Sequence, residues 1–152
     1  MSKFKIYIKS ILIPVLVGGF VGVAINRFID YDTLNRPPLS PPSITFPIIW
    51  TILYVLMGIS YGILRINKQT SKEIDSIYYW QLIVNAFWSI FFFVFKWRLF
   101  SFLWIILLSY LVLKMISVFY NKNKTAGIIQ IPYLVWTIFA TYLNLGVYLL
   151  NK

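Results

Sequence analysis

Cysteine and histidine are absent from this 152-residue chain, and only four of its residues are acidic. Without cysteine there are no disulfides and no thiol chemistry. Without both residues there are no Cys/His zinc sites, and neither side chain can hold a haem iron. Acid–base and nucleophilic catalysis also rely mainly on histidine, cysteine and carboxylates. We therefore expect a protein with no metal site and no resident cofactor.

The scarcity of acidic residues is matched by long stretches that carry no charge. The acidic residues are Asp30, Asp32, Glu73 and Asp75, all in predicted polar loops. Uncharged runs cover residues 10–26, 37–64, 76–95 and 125–151, and a fifth run, 99–121, contains only Lys114. A helix that spans a bilayer needs about 20 apolar residues, and a charge at mid-bilayer costs about 3 kcal/mol. This segregation predicts an all-α membrane protein, a bundle of five transmembrane helices.

Five spans use most of the chain, so we predict a single domain over residues 1–152. Its helices are predicted over about residues 6–29, 44–66, 77–95, 99–119 and 126–150. Prolines between positions 37 and 42 should fix the first loop in extended conformations without regular structure. Ser43 or Thr45 is the expected N-cap of the second helix. Only residues 96–98 join the third and fourth helices, which predicts antiparallel neighbours.

The net charge of +10 comes from basic residues that flank the predicted spans. We expect no nucleic-acid partner, because no basic face remains once the helices lie in lipid. The side of the amino terminus has Lys3, Lys5, Lys9, Arg65, Lys68, Lys72, Lys122, Lys124 and, by snorkelling, Lys114; the other side has Arg27, Arg36, Lys96, Arg98 and Lys152. The positive-inside rule then places the amino terminus inside and the carboxyl terminus outside.

Three predicted helices carry aromatic or amide side chains along one face. These are Phe46, Trp50, Tyr54, Met57 and Tyr61 on the second helix, Gln81, Asn85, Trp88 and Phe92 on the third, and Trp136, Ala140 and Leu143 or Asn144 on the fifth. An unpaired amide in lipid costs several kcal/mol, so such faces should turn inward. Three tryptophans and two amides would then meet in the half-membrane beneath the first loop. Helix packing alone also explains these stripes, and their spacing does not separate the two interpretations.

Motifs in order along the chain match one known family. The first loop and second helix contain Tyr31-x-x-Leu34-x-Arg36-Pro37-x-x-x-Pro41-Pro42 and Phe46-x-x-x-Trp50-Thr51-x-Leu53-Tyr54-x-x-Met57-Gly58. The third and fifth helices contain Gln81-Leu82-x-x-Asn85-x-x-Trp88-Ser89 and Pro132-Tyr133-Leu134-x-Trp136-x-x-Phe139-Ala140-Thr141-x-Leu143-Asn144. With its five spans, the chain resembles the TspO/translocator-protein family, also called tryptophan-rich sensory proteins or peripheral-type benzodiazepine receptors.

The resemblance implies a homodimer of five-helix bundles with a pocket for porphyrins, protoporphyrin IX among them, beneath the first loop. Sterols and benzodiazepine-type drugs are ligands of some members. The matching pocket positions are Tyr31, Pro41, Trp50, Tyr54, Asn85, Trp88, Trp136, Ala140 and Leu143. The residues themselves add Asn144 for a polar edge of the ligand and Arg36 for a propionate at the mouth. The family usually has tryptophan at the positions of Asp30 and Leu39, where this chain departs from the pattern.

Three functions stay open at this point. The first is the binding of porphyrins or similar flat apolar ligands by an integral protein of the bacterial plasma membrane. The second is light-dependent degradation of porphyrin as a substrate, for which the resemblance implicates Trp50 and Trp136 as catalytic residues. The third is a sterol- or lipid-binding membrane transporter. Ion-coupled exchange is not expected, because it needs a titratable group inside the membrane and only Lys114 interrupts the uncharged runs of the predicted spans.

Overall fold

A computed structural model describes residues 2–152 as a helical bundle with no strand in that range. Five stretches are long and apolar enough to cross a membrane, as predicted: Lys3–Phe28, Thr45–Ile66, Lys72–Val94, Arg98–Lys122 and Lys124–Asn151. The helices are α1 (Lys3–Ile25), α2 (Thr45–Ile66), α3 (Lys72–Ser89, prolonged by a π-helical turn at Ile90–Val94), α4 (Arg98–Lys122), α5 (Lys124–Ile129) and α6 (Ile131–Asn151). Two 3-10 turns, Asn26–Phe28 and Tyr31–Thr33, follow α1.

Helix α3 begins at Lys72 and not at residue 77. Ser71 caps it, because its hydroxyl oxygen accepts a hydrogen bond from the backbone N–H of Ile74 at 3.2 Å. Glu73 and Asp75 lie in the first turn, where their charge complements the positive end of the helix dipole. The prediction that all acidic residues lie in loops was therefore wrong for these two, which help to start a helix.

The predicted N-cap of α2 was also wrong. Ile44 occupies the cap position and makes no side-chain hydrogen bond, and Thr45 is already the first helical residue. The Ser43 hydroxyl instead donates to the Asp32 carboxylate at 3.3 Å, so it serves the first loop. A backbone bond from the Phe46 N–H to the Ser43 carbonyl, at 3.3 Å, tightens the start of the helix in place of a side-chain cap.

The last span is divided at Gln130, whereas the sequence predicts one continuous helix there. Pro132 stands at the start of α6, where its missing N–H costs little. Helix α5 has its own cap, since the Asn123 side-chain oxygen accepts from the Ala126 N–H at 3.2 Å. The break lets α5 pack against α2, where the Ser60 hydroxyl donates to the Ala126 carbonyl at 2.6 Å.

One face of α4 forms the centre of the bundle. Its fully buried residues are Ile105, Leu108, Val112, Met115 and Phe119. Their alternating spacing of three and four residues is that of a coiled-coil seam. Trp104, on the same helix, donates its indole N–H to the Val84 carbonyl of α3 at 2.8 Å. Helices α3 and α4 are therefore packed neighbours, as their short connection predicts.

Helix α1 packs closely against α2 through small residues. A side chain at Gly58 would collide with the backbone of Ser10 and Ile11, and one at Gly62 would collide with the ring of Tyr7. Small residues allow such close approach of helices in membranes. This glycine pair is therefore used inside the bundle.

The proline-rich first loop is held against α6. The Asn151 side chain accepts a hydrogen bond from the Asn35 N–H at 3.0 Å and donates one to the Asn35 carbonyl at 2.7 Å. The Tyr142 hydroxyl donates to the Pro38 carbonyl at 2.6 Å. We call the paired amides of Asn35 and Asn151 the amide latch. Since proline has a fixed φ and no N–H, few such bonds are needed to define the path of this loop.

Candidate functional site

A cavity of about 590 Å³ lies between α1, α2, α3 and α6, beneath the first loop. Most of its wall is apolar, and much of it is aromatic. Its lining includes Gly18, Gly22, Tyr31, Phe46, Trp50, Tyr54, Trp88, Phe92, Ala140, Leu143, Asn144 and Val147. Sites for small apolar ligands have about this composition and volumes of roughly 300–1,000 Å³. The cavity is therefore the candidate site.

Most of the predicted ligand-binding residues line this cavity. They are Tyr31, Trp50, Tyr54, Trp88, Ala140, Leu143 and Asn144. Pro41, Asn85 and Trp136 are not among its lining residues. The structure thus brings the predicted faces of three helices together, and it places three of the predicted residues one layer behind the wall.

Each of these three residues supports a residue of the wall. The Pro41 carbonyl accepts a hydrogen bond from the Tyr31 hydroxyl at 2.6 Å. The Asn85 amide is bonded to Tyr54, as described below. Trp136 packs edge-on against Trp50, with ring centroids 6.4 Å apart and an interplanar angle of 88°.

The indole of Trp50 is the centre of an aromatic cluster. It stacks on Tyr54, at 5.7 Å between ring centroids and an angle of 28°. Phe46 packs edge-on against Trp136 at 5.7 Å, and Tyr31 packs edge-on against Phe46 at 4.8 Å. Such pairs contribute about 0.5–1.5 kcal/mol each beyond the burial of area. These contacts hold the Trp50 ring in place without a ligand.

Hydrogen bonds hold Trp88 on the opposite side of the cavity. Its indole N–H donates to the Asn144 side-chain oxygen at 2.9 Å, and the Asn144 amide donates to the Arg98 backbone carbonyl at 2.8 Å. The Trp88 ring also stacks on Phe92 at 5.2 Å. Asn144 therefore orients a tryptophan of the wall, in addition to lining the cavity itself.

An ion pair between Arg98 and Asp30 lies next to this wall. The Arg98 guanidinium donates to both carboxylate oxygens of Asp30, at 2.8 and 3.0 Å, and lies 4.8 Å from the centre of the Phe92 ring. Lys96 adds a second, longer contact to Asp30 at 3.8 Å. Asp30 stands where the family usually has tryptophan, so this chain joins the first loop to α4 by charge.

Leu39 and Arg36 of the first loop do not line the cavity. Leu39 is 83% exposed and has a positive φ of 71°. Arg36, predicted to meet a carboxylate at the mouth, lies over the ring of Tyr31, with its guanidinium carbon 4.6 Å from the ring centroid. It also approaches Asp32 at 4.0 Å, and it is not a lining residue.

The glycines of α1 are wall residues that the sequence analysis did not identify. Gly18, Gly19 and Gly22 all line the cavity. A side chain at Gly18 would collide with the Tyr54 ring, whereas a Cβ at Gly19 or Gly22 would meet no atom within 4 Å. The closely spaced glycines within the uncharged run of residues 10–26 are the signal that could have identified this part of the wall.

A chain of polar side chains leads from the cavity into the bundle. The Tyr54 hydroxyl donates to the Asn85 side-chain oxygen at 2.7 Å, and the Asn85 amide donates to the Tyr133 hydroxyl at 2.6 Å. The Tyr133 hydroxyl donates to the Gln81 side-chain oxygen at 2.7 Å, and the Gln81 amide donates to the Tyr78 backbone carbonyl at 2.8 Å. We call these four side chains, from Tyr54 to Gln81, the polar chain. Tyr133 is a member that the sequence analysis did not identify.

Metal chemistry has no evident place in the described part of the chain. Among residues 2–152 there is no cluster of three histidine, cysteine, aspartate or glutamate side chains that could hold a metal ion. The cavity wall offers instead indole, phenol and phenyl rings, two tyrosine hydroxyls, three serine or threonine hydroxyls and the amides of Asn26 and Asn144. This arrangement can stack a flat ligand and can form hydrogen bonds with its polar edge.

Comparisons with known proteins relate the chain to one family. The family model described as "TspO/MBR family" matches residues 10–150. The chain is 34% identical to the tryptophan-rich protein TspO of Archaeoglobus fulgidus, over 92% of this chain and 94% of that protein. It is 35% identical to the tryptophan-rich sensory protein of Cereibacter sphaeroides, over 80% and 76% of the two chains. It is 32% identical to the translocator protein of Bos taurus, over 88% and 82%.

Five apolar helices and a family match over nearly the whole chain lead to one assignment. The chain is an integral membrane protein and belongs to the TspO/MBR family.

Proposed function

We propose that this protein binds protoporphyrin IX or a similar flat apolar ligand in the cavity beneath the first loop. The observation that carries the proposal is a cavity of about 590 Å³ with Trp50, Tyr54 and Trp88 in its wall. A flat aromatic ligand stacks on such rings and gains about 0.5–1.5 kcal/mol per aromatic pair beyond the burial of its area. The absence of histidine and cysteine favours a metal-free porphyrin over a ligated haem.

Quenching of tryptophan fluorescence on titration with protoporphyrin IX tests this proposal. The double variant Trp50→Phe/Trp136→Phe removes a stacking indole and the ring behind it, and we expect affinity to fall about five- to tenfold or more, about 1 to 1.4 kcal/mol. Trp97→Phe is the matched control, since Trp97 lies outside the cavity and is 53% exposed. Equal affinities for the double variant and the wild type would remove the cavity from consideration as the porphyrin site.

A second candidate function is light-dependent oxidation of the bound porphyrin. It is favoured by the edge-on contact of Trp50 with Trp136, whose buried indole N–H has no hydrogen-bond partner. In this scheme the excited porphyrin takes one electron from Trp50 and passes it to dioxygen, which becomes superoxide, while Trp136 refills Trp50. The oxidised indole of Trp136 then takes one electron back from the porphyrin, and superoxide combines with the porphyrin radical cation, so the net change is the addition of one dioxygen to the porphyrin. Illumination of the purified protein with protoporphyrin IX in air should then give a new absorbing product, and Trp50→Phe should suppress it. If the absorption spectrum is unchanged after prolonged illumination, this second function is rejected and only porphyrin binding remains.

We further propose a bacterial plasma-membrane location, with the amino terminus inside, and assembly as a homodimer. The excess of basic residues on the side of the amino terminus supports the orientation. The family resemblance supports the dimer. The mass of the protein in lipid nanodiscs tests the dimer, because a single 17.9 kDa chain per particle at all protein-to-lipid ratios would argue against it.

A further inference from the structure

The direction of the polar chain is fixed at its buried end. A backbone carbonyl oxygen can only accept a hydrogen bond, so the Tyr78 carbonyl requires the amide nitrogen of Gln81. The Gln81 oxygen must then face Tyr133 and accept its hydroxyl proton. Because the Tyr133 proton is used in this bond, the Tyr133 oxygen can only accept, and it accepts a hydrogen bond from the Asn85 amide nitrogen. The Asn85 oxygen is left to accept the Tyr54 proton.

Burial prevents this order from being reversed. Gln81, Tyr133 and Asn85 are at most 3% exposed, so water cannot replace a lost partner. A reversed Gln81 amide would place its oxygen against the Tyr78 carbonyl oxygen, with no proton between the two acceptors, and would leave the Gln81 oxygen without a donor. An unsatisfied buried group of this kind costs about 1–3 kcal/mol. The proton of the Tyr54 hydroxyl is therefore committed to Asn85, and its oxygen lone pairs are what remains for another partner.

Several other donors of the cavity wall are also committed to the protein. The Tyr31 hydroxyl donates to the Pro41 carbonyl, the Trp88 indole to Asn144, and the Thr51 hydroxyl to a backbone carbonyl of its own helix at 2.7 Å. The Trp50 indole N–H has no hydrogen-bond partner among residues 2–152 and is a donor left for a ligand. Tyr54, which lies stacked beside Trp50, offers an acceptor next to this donor.

We infer that the cavity selects flat apolar ligands that carry an N–H or O–H donor at their edge, and that the Tyr54 hydroxyl oxygen is the acceptor that recognises it. The polar chain is the device that holds Tyr54 in this role. Asn85, Tyr133 and Gln81 are then positioning residues, because they act on a ligand through Tyr54. The inference rests on the proposed function of the cavity as a ligand site, and it adds the chemical class of the ligand.

A pair of isosteric probes separates the contribution of the hydrogen-bond donor to affinity from the contribution of ligand shape. Carbazole and dibenzofuran are flat tricyclic molecules of nearly equal size, and only carbazole has an N–H. We would measure the dissociation constant of each by equilibrium dialysis against wild-type protein in lipid nanodiscs, with empty nanodiscs subtracted. One hydrogen bond of ordinary strength should make carbazole bind about three- to tenfold more tightly. A ratio near one in the wild type overturns the inference, and so does the absence of binding by both probes.

Two variants that each remove one hydroxyl test the mechanism. Tyr54→Phe deletes the acceptor, so we expect the affinity ratio to fall to about one while dibenzofuran still binds. Tyr133→Phe keeps Tyr54 but removes the partner that fixes the Asn85 amide, so Asn85 can turn its nitrogen towards the Tyr54 oxygen. The Tyr54 proton is then released towards the ligand, and the ratio should also fall. Tyr110→Phe is the matched control, because Tyr110 is 60% exposed on α4 and should keep the wild-type ratio. A wild-type ratio in Tyr54→Phe overturns the inference.

The wild-type comparison needs no variant, so a loss of folding in either substitution does not prevent a decision. Different experimental results would contradict the inference and the proposed function. If protoporphyrin IX quenches the tryptophans but carbazole and dibenzofuran bind equally, the donor selectivity is wrong and the ligand site stands. If protoporphyrin IX does not bind while carbazole is preferred, the cavity is a ligand site for another flat donor.

Discussion

At the scale of single residues, the cavity depends on small residues that face large ones. Gly18 of α1 lies directly against the Tyr54 ring, and its missing side chain makes room for that ring. Gly19, the next residue along, has open space where a side chain would be. The two positions are adjacent in sequence, yet their surroundings differ completely, so they form a matched pair.

Alanine at these two glycines should have opposite effects on stability. Gly18→Ala inserts a methyl group into the Tyr54 ring and should destabilise the protein by about 1–3 kcal/mol, as overpacking does. Gly19→Ala meets no neighbouring atom and adds helix propensity, so it should be neutral or slightly stabilising. The thermal unfolding midpoints of the two variants in the same detergent measure this difference. Equal midpoints would contradict the close contact between α1 and Tyr54.

The sequence predicted which faces of the helices turn towards the site, but it did not predict which side chains of those faces line the cavity. Trp50, Trp88 and Leu143 follow helical periodicity and do line the cavity. Asn85 and Trp136 have the same periodicity, yet each lies behind a lining residue. A helical face is roughly 100° wide, so spacing indicates which side of a helix turns inward and not which ring stands in front.

At the scale of elements, the ends of helices differed most from prediction, and the chain contained signals for some of them. Ser71 followed by acidic residues marks the start of α3, and Pro132 marks the start of α6. The amide latch had no such signal. Asn35 and Asn151 are 116 residues apart, and no local pattern connects two asparagines over that distance.

The amide latch should control the mobility of the first loop. Asn151→Ala removes both hydrogen bonds to Asn35, about 0.5–1.5 kcal/mol each. We expect the backbone amides of Asn35, Arg36, Leu39 and Ser40 to exchange with deuterium about tenfold faster, which hydrogen-exchange mass spectrometry of the protein in nanodiscs would detect. Asn121→Ala, an exposed asparagine near the end of α4, is the control. Unchanged exchange in Asn151→Ala would mean that the loop is held by its other contacts, such as that of Tyr142 with Pro38.

At the scale of the whole molecule, the number of spans was predictable because lipid imposes strict rules. Backbone groups must be satisfied within the helix, and charge must stay at the ends. These rules predict the five spans without any knowledge of packing, and the structure confirms them. The buried face of α4 was not predicted, because this helix is apolar on all sides and its sequence marks no face as the inner one. The ion pair of Asp30 with Arg98 required the folded chain.

The absence of cysteine makes the orientation simple to test, because any introduced thiol is unique. Leu39→Cys labels the first loop and Thr70→Cys labels the loop between α2 and α3; both positions are exposed. With the amino terminus inside, a membrane-impermeant maleimide should modify Leu39→Cys in intact bacterial cells, and Thr70→Cys only after the cells are opened. The reverse result would overturn the orientation drawn from the positive-inside rule.

The amide latch also bears on how the protein should be handled. Asn151 is the last residue of α6, so an affinity tag or fluorescent reporter placed directly after this helix would be anchored next to the amide latch. Purification handles and optical sensors are therefore better placed ahead of α1, on the far face of the bilayer from the mouth of the cavity.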